Sequence, residues 1–348
     1  MEVFAAVRIL IIFALSFVVA LLITPVVYRF LLKFNLRKVN IRDEKSAPVF
    51  YQFHKNKSNT PTMGGIIIWA TVLGLAIIFF ALGNIFDGFS DYFNFVNRSE
   101  TYLPIAALFL AAIVGLVDDV MGILKVGPHG GGLKMKHKLL LYTGVAALGA
   151  WWFYFRLDWH TLFIPFIGTV ELGWWYIPFF IFTIVATAFS ANEADGLDGL
   201  LGGLMFFAFM AIVVVGFVLH RYDLAVMSAS ILGALLAFLW FNIYPAKFFM
   251  GDTGSMSLGI TLGVMAMLTN TPLLLPFFGF ILVIESLSVI VQQLSKKIRK
   301  KKIFLSTPIH HHFEALGWPE SQITMRFWIV SAMFSVFGLV LFFLSRFV

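Results

Sequence analysis

Gly199-Leu-Leu-Gly-Gly-Leu-Met-Phe-Phe-Ala-Phe-Met-Ala-Ile-Val-Val-Val-Gly-Phe-Val-Leu219 holds no charged side chain in 21 positions. Wound as an α-helix, such a run reaches about 31 Å, the thickness of a bilayer's hydrocarbon core. Comparable runs lie at about 5–32, 63–86, 102–120, 138–156, 174–191, 223–241, 255–270, 272–294 and 326–346, which makes ten candidate spans with 199–219. The full chain of 348 residues is 60% hydrophobic and 12% charged, whereas an average globular domain is about one quarter charged. A soluble fold of this composition lacks the polar surface to cover its core, which excludes soluble, disordered and nucleic-acid-binding classes. The sequence therefore predicts an all-α polytopic membrane protein, a single integral membrane domain over 1–348. The N-terminal run is too long for a signal h-region and is read as the first span.

Ten crossings place both termini on one side. Alternating loops then put twenty of the 25 Lys and Arg residues on one face, in 29–57, 121–138, 242–254 and 295–326. Arg8, Arg98, Arg156, Arg221 and Arg346 fall on the other. The positive-inside rule makes the first face cytoplasmic and turns both termini outward. The run Lys296-Lys297-Ile298-Arg299-Lys300-Lys301-Lys302 reads as the stop of the ninth span and as an arm that attracts anionic lipid or substrate phosphates.

The carboxylates collect on the basic face. Asp118 and Asp119 end the third span, Asp195 and Asp198 lie in Asp195-Gly-Leu-Asp-Gly199, and Asp252 lies in Phe249-Met-Gly-Asp-Thr-Gly-Ser255. An ionisable residue at a membrane-embedded position is a functional hypothesis by default. Five aspartates on one face repel one another unless a cation sits among them. With no cysteine in the chain, the fitting ion is hard and oxygen-loving. Mg²⁺ is favoured, and it binds one or two carboxylates plus substrate phosphates, which points to phosphoryl chemistry. Adjacent helical residues diverge by about 100°, so Asp118 and Asp119 take different roles: one faces the metal or nucleophile while the other orients a lysine or a backbone group. Gly196 and Gly199 suggest a broken turn with exposed amides rather than a helix carrying Asp195 and Asp198 on one face. His310, His311 and His312 fan apart too widely for one zinc ion and suit phosphate oxygens instead. Phe249 reads either as interfacial packing or as a stacking platform for a base.

These motifs resemble a known family. Asp118-Asp119, Asp195-Gly-Leu-Asp-Gly199, Phe248-Phe-Met-Gly-Asp-Thr-Gly-Ser255 and His310-His-His-Phe-Glu314 are similar to the polyprenyl-phosphate N-acetylhexosamine-1-phosphate transferases. Thr60-Pro-Thr-Met-Gly-Gly65 and Pro308-Ile-His-His-His-Phe-Glu-Ala-Leu-Gly-Trp-Pro-Glu320, with Arg326-Phe-Trp328, narrow the resemblance to the phospho-N-acetylmuramoyl-pentapeptide-transferases, the MraY group. The similarity runs in order from about Thr60 to Trp328 and fits a ten-span layout with both termini outward.

The resemblance implies transfer of phospho-MurNAc-pentapeptide from UDP-MurNAc-pentapeptide to undecaprenyl phosphate at the cytoplasmic face of a bacterial inner membrane, with Mg²⁺ as cofactor. It permits a homodimer. Asp252 resembles the family's Mg²⁺ ligand, Asp118 its aspartate proposed as base toward the lipid phosphate, and Asp119 that residue's essential neighbour. Asp195, Gly196, Asp198, Asn242 and Phe249 fall where the family shapes a uridine pocket. Lys138 and Lys57 match substrate-binding lysines, and His310, His311 and His312 match the histidine cluster near the phosphates. The lead into Asp195 is about three residues shorter than the family's, yet Asn192 keeps its three-residue offset. A GlcNAc-1-phosphate transferase of the same superfamily is the alternative enzyme, and a cation-coupled transporter the alternative from another class.

Overall fold

The computed structural model describes residues 2–37, 60–85, 88, 92–96, 99–127 and 131–346. It is mostly helical. In chain order the elements are α1 (Glu2–Lys33), α2 (Ile66–Ile85), α3 (Ser99–Ile123) and α4 (Met135–Trp151), which continues as one π-helical turn, Trp152–Arg156. An antiparallel hairpin of β1 (Thr161–Ile164) and β2 (Gly168–Glu171) follows, pairing Thr161 with Glu171. Then come α5 (Tyr176–Ala194), α6 (Leu200–Val218), α7 (Tyr222–Asn242), α8 (Asp252–Leu268), α9 (Leu275–Phe278), α10 (Phe280–Ile298), α11 (Ile309–Ala315) and α12 (Glu320–Leu344).

Among the described residues, seven helices are long and apolar enough to cross a membrane, or eight if the bent pair Pro272–Phe278 and Phe280–Ile298 is one span. The apolar stretches 138–156 and 255–270 form α4 and α8, each of 17 residues. A helix of that length rises only about 25 Å, although the π turn carries α4 on to Arg156. The expected single span over 272–294 is instead broken, with an 89° bend between its two parts. Pro272, Pro276 and Gly279 supply the break, because proline cannot continue the hydrogen-bond ladder and glycine resists little.

Lipid tails are as apolar as leucine, so helices in a bilayer associate through close packing and buried polar contacts rather than through hydrophobic exclusion. Helix α8 shows how. Every residue from Asp252 to Leu268 is buried, and α3 and α5 pack along it. Gly259 and Gly263 lie against Thr187, Ala188 and Ile184 of α5, where any side chain would collide. Helix α7 is enclosed between α1 and α6. Ser16 Oγ donates to the carbonyl of Ser230 at 2.6 Å and ties α1 to it. Outward-facing positions such as Leu22, Phe182, Trp240 and Ile329 are exposed and apolar, as contact with lipid requires.

The two ends of the bundle differ. At the hairpin end, Arg8 Nη1 pairs with Asp223 Oδ1 at 2.9 Å and Arg8 Nη2 donates to the carbonyl of Asn94 at 2.9 Å. Arg221 pairs there with Glu100 at 2.5 Å, and Asn270 Oδ1 accepts from the Phe163 amide at 3.0 Å. The other end gathers the junctions of α3 with α4, α5 with α6, α7 with α8, and α10 with α11.

Candidate active site

Asp118 and Asp119, near the C-terminal end of α3, diverge as neighbours on a helix must. Asp118 turns toward α4. Its Oδ2 lies 2.7 Å from Lys138 Nζ, and its Oδ1 accepts from the Leu133 amide at 2.5 Å. Asp119 turns toward α8, where its Oδ2 accepts from the Thr253 amide at 3.0 Å. Thr253 is fixed in turn, donating to the Ala112 carbonyl at 2.8 Å while its Oγ1 accepts from Trp69 Nε1 at 3.1 Å.

Asp252 opens α8, where the helix dipole favours a carboxylate. Gly251 before it holds φ +76, a left-handed conformation that suits glycine, with Asp119 and Thr62 crowding the space a Cβ would need. Asp252 Oδ1 accepts from Lys138 Nζ at 2.8 Å and from Asn192 Nδ2 at 2.6 Å. Gly115 of α3 lies directly against the Asp252 backbone, so the two aspartate-bearing helices touch without an intervening side chain. Asp118 and Asp252 thus meet on the Lys138 ammonium, and Asn192 joins from a fourth helix through Asp252.

The Asp195–Gly199 segment is the broken turn that its glycines predict. Helix α5 stops at Ala194, Asp195 leaves the helical region, and Gly199 sits at φ +74. The expected exposed amides are a different matter. The Asp198 amide donates to Glu320 Oε1 at 2.6 Å, and the Gly199 amide donates to Asn242 Oδ1 at 3.1 Å. Asp198 is buried, its Oδ2 accepting from the Ala246 amide at 3.0 Å. Asn242 Nδ2 donates to the Phe248 carbonyl at 2.8 Å. Asp198 and Asn242 therefore bind the 246–248 loop to the turn.

That loop carries two phenylalanines with separate fates. Phe248 is buried, with its ring centroid 5.5 Å from Phe238, 6.1 Å from Tyr28 and 6.2 Å from Phe241. Phe249 is half-buried. Its backbone is clamped from both sides, donating to Pro61 and accepting from Gly64, each at 2.8 Å. The Thr60-Pro-Thr-Met-Gly-Gly65 segment thereby becomes part of the site's wall.

The histidines lie on the short helix α11. His310 Nδ1 is 3.0 Å from Glu285 Oε2, and His311 Nδ1 is 2.6 Å from Glu314 Oε2. The Nε2 edge of His310 rests over Gly196, where a Cβ would collide with the ring. His312 faces elsewhere, its Nδ1 accepting from the Leu305 amide at 3.2 Å. Two of the three expected histidines thus sit on carboxylates, and His310 meets the Asp195–Gly199 turn. Glu285 is the residue that sequence reasoning passed over. Its signal was available, as a lone carboxylate inside the ninth apolar run. Glu320 and Trp69 carried no comparable signal. Lys57 lies outside the described residues.

Residues 102–270 match the family model for glycosyl transferase family 4, and residues 57–68 match signature 1 of phospho-N-acetylmuramoyl-pentapeptide-transferase. Proteins of the latter name from Shouchella clausii (strain KSM-K16), Leuconostoc citreum (strain KM20) and Clostridium novyi (strain NT) are 36%, 38% and 38% identical to this chain. The alignments cover 93%, 92% and 93% of this chain and 94%, 96% and 93% of those proteins. The chain belongs to the phospho-N-acetylmuramoyl-pentapeptide-transferase family.

Whether the site suits a metal in this family member can be judged from its donors. Among the described residues no three His, Cys, Asp or Glu side chains converge as a ligand set. Mg²⁺ does not need one, because it keeps several waters and shares one or two carboxylates with substrate phosphates. Asp118 and Asp252 are all-oxygen donors drawn together around a single lysine, and they fit an ion of that kind.

Removing the lysine should expose their repulsion. Lys138→Met is expected to cost roughly 3–5 kcal/mol, as when one partner of a buried ion pair is lost. It should appear as a lowered melting temperature in detergent. Adding Asp118→Asn should recover much of that stability without restoring transferase activity. Equal melting of the single and double variants would show that carboxylate repulsion is not what Lys138 offsets.

Proposed function

We infer that this protein transfers phospho-MurNAc-pentapeptide from UDP-MurNAc-pentapeptide to undecaprenyl phosphate, releasing UMP and forming lipid I, in the first membrane step of peptidoglycan synthesis. The observation that carries the reading is the Asp118–Lys138–Asp252 cluster in a chain of this family. A phosphate monoester attacking a pyrophosphate brings several negative charges together, so positive charge must offset their repulsion before bonds change. Asp252 would hold the Mg²⁺, which when bound would supply part of that charge and withdraw electron density from the phosphoryl oxygens. Lys138 supplies the rest from the protein side. Asp118, pinned by Lys138 and the Leu133 amide, accepts the acceptor phosphate's remaining proton. Asp119 acts on the scaffold, fixing the start of α8 through the Thr253 amide.

The donor's uridine occupies the region bounded by Asn192, Asp195, Gly196 and Phe249, with Asp198 and Asn242 shaping it from behind. His310 and His311 face the phosphate oxygens with their outer ring edges, and the family resemblance adds Lys57 to the substrate-binding set. His312 supports α11. By the positive-inside rule, the twenty-to-five split of Lys and Arg read from the sequence supports placing this end in the cytoplasm of a bacterial cell with both termini outside. Helices α4 and α8 then complete ten crossings of the inner membrane.

Purified protein given UDP-MurNAc-pentapeptide, undecaprenyl phosphate and Mg²⁺ should release UMP. Asp252→Asn should abolish this while leaving thermal unfolding near that of the wild type. UDP-GlcNAc serving equally well as donor would favour the alternative transferase, and no UMP from the wild type would overturn the reading.

For Phe249 the expected contact is face-on stacking with uracil, worth about 1–3 kcal/mol in comparable base–aromatic pairs. Phe249→Ala should weaken donor dependence about tenfold and leave acceptor dependence unchanged. Phe248→Ala should instead lower the melting temperature by opening a cavity among Tyr28, Phe238 and Phe241. Equal donor and acceptor losses in Phe249→Ala, with lowered melting, would make Phe249 a packing residue.

Orientation is testable because the native chain has no cysteine. In intact cells an impermeant thiol reagent should label Cys introduced at His160 and not at Lys300. Labelling at position 300 would reverse the assigned face.

A further inference from the structure

A crevice of about 210 Å³ lies between α3, α4, α5 and α8, toward the hairpin end and away from the aspartates. Leu103, Ala106 and Leu110 line it from α3, and Val145, Leu148 and Trp152 from α4 and its π turn. It opens sideways to the lipid-facing surface, since Leu110, Leu148 and Trp151 are 44%, 63% and 53% exposed. Its wall is apolar. The indole Nε1 of Trp152, one of the lining residues, is buried behind that wall and donates to no acceptor among the described residues. One turn further out, the exposed Arg156 holds its guanidinium 5.8 Å from the Trp152 ring. The carboxylates nearest in sequence, Asp158 and Glu171, lie beside His160 at 3.7 and 3.9 Å. Among the described residues no carboxylate pairs with Arg156, which thus offers a positive charge just outside an apolar crevice.

We propose that this crevice binds a glycerophospholipid of the leaflet at the hairpin end, with one acyl chain between α3 and α4, an ester carbonyl on Trp152 Nε1 and the phosphate on Arg156. The order of groups matches the molecule. Hydrocarbon lies deepest, the hydrogen-bond donor comes next, and the cation sits outermost. A buried donor without an acceptor is costly, and an ester carbonyl entering beside it removes that cost. The π turn placing Trp152 and Arg156 together is a geometry that recurs at functional sites. Distance separates this phosphate site from that of the polyprenyl acceptor. Lys138 precedes Arg156 by eighteen residues on one continuous helical segment, so a phosphate on Arg156 is about 25 Å from the aspartate cluster. Since α3 carries Asp118 and α4 carries Lys138, lipid in this crevice braces the two helices whose ends meet at the site.

Native mass spectrometry of the detergent-solubilised protein with short-chain phosphatidylglycerol tests this, together with the melting temperature as lipid is added. The wild type should retain one lipid and melt higher as its concentration rises. Ala106→Trp fills the crevice from an exposed position, so it should fold and should lose both effects. Arg156→Gln should weaken binding roughly fivefold, the effect of one basic residue near a phosphate surface. Trp152→Phe keeps the ring, removes the donor and should weaken it severalfold. Unchanged binding in both Arg156→Gln and Trp152→Phe would overturn the proposal even if Ala106→Trp misfolds. One-for-one displacement of the lipid by undecaprenyl phosphate would overturn it too, by giving the crevice to the acceptor.

Discussion

One ammonium group organises the aspartate-bearing end of this molecule. Lys138 Nζ lies within 2.8 Å of carboxylate oxygens on both Asp118 and Asp252, and Asn192 completes the arrangement by donating to the same Asp252 oxygen. Each partner lies near the start or end of a different helix, so the cation joins α3, α4 and α8, and Asn192 adds α5 through Asp252. In a low-dielectric interior two facing carboxylates without a cation would be strongly unfavourable. The arrangement also suits the proposed chemistry, because a site that already balances two carboxylates against one cation can exchange partners when phosphates and Mg²⁺ enter.

Backbone proximity makes that joint feasible. Gly115 allows α3 to rest on the first residue of α8, Gly251 supplies the left-handed turn that aims Asp252, and Gly196 makes room for the His310 ring. Helix α8 is enclosed along its whole length, which accounts for its small and polar composition. What looks in the sequence like a marginal membrane helix is the axis on which the others pack.

The apolar runs were legible because a bilayer imposes length and hydrophobicity directly on sequence, and nearly every long run became a helix of matching position. The clustering of the carboxylates was legible for a related reason, since a charge in such a chain needs a partner. Partnerships were less legible. Nothing in the local sequence says that Asp198 and Asn242 turn toward the 246–248 loop, or that Glu285 meets His310 across 25 residues of chain. The broken ninth run shows the same limit. Composition marks 272–294 as apolar, yet two prolines and a glycine decide that the chain turns there, and packing sets the angle. The hairpin over Thr161–Glu171 had no apolar periodicity to announce it, being short and half-exposed.

Helix α10 reverses the usual rule of amphipathic helices. Glu285, Gln292 and Ser295 are buried, while Leu287, Ile290, Val291, Leu294 and Ile298 are exposed. Water would favour the opposite arrangement, so only an oily surrounding keeps Glu285 turned inward against His310. The solvent is then a structural member of the histidine cluster. A detergent shell too thin over this helix would disturb ring positions at the aspartate-bearing end without touching a single ligand. Extraction conditions for this protein are therefore best judged by the state of its histidines rather than by its helicity, which would survive.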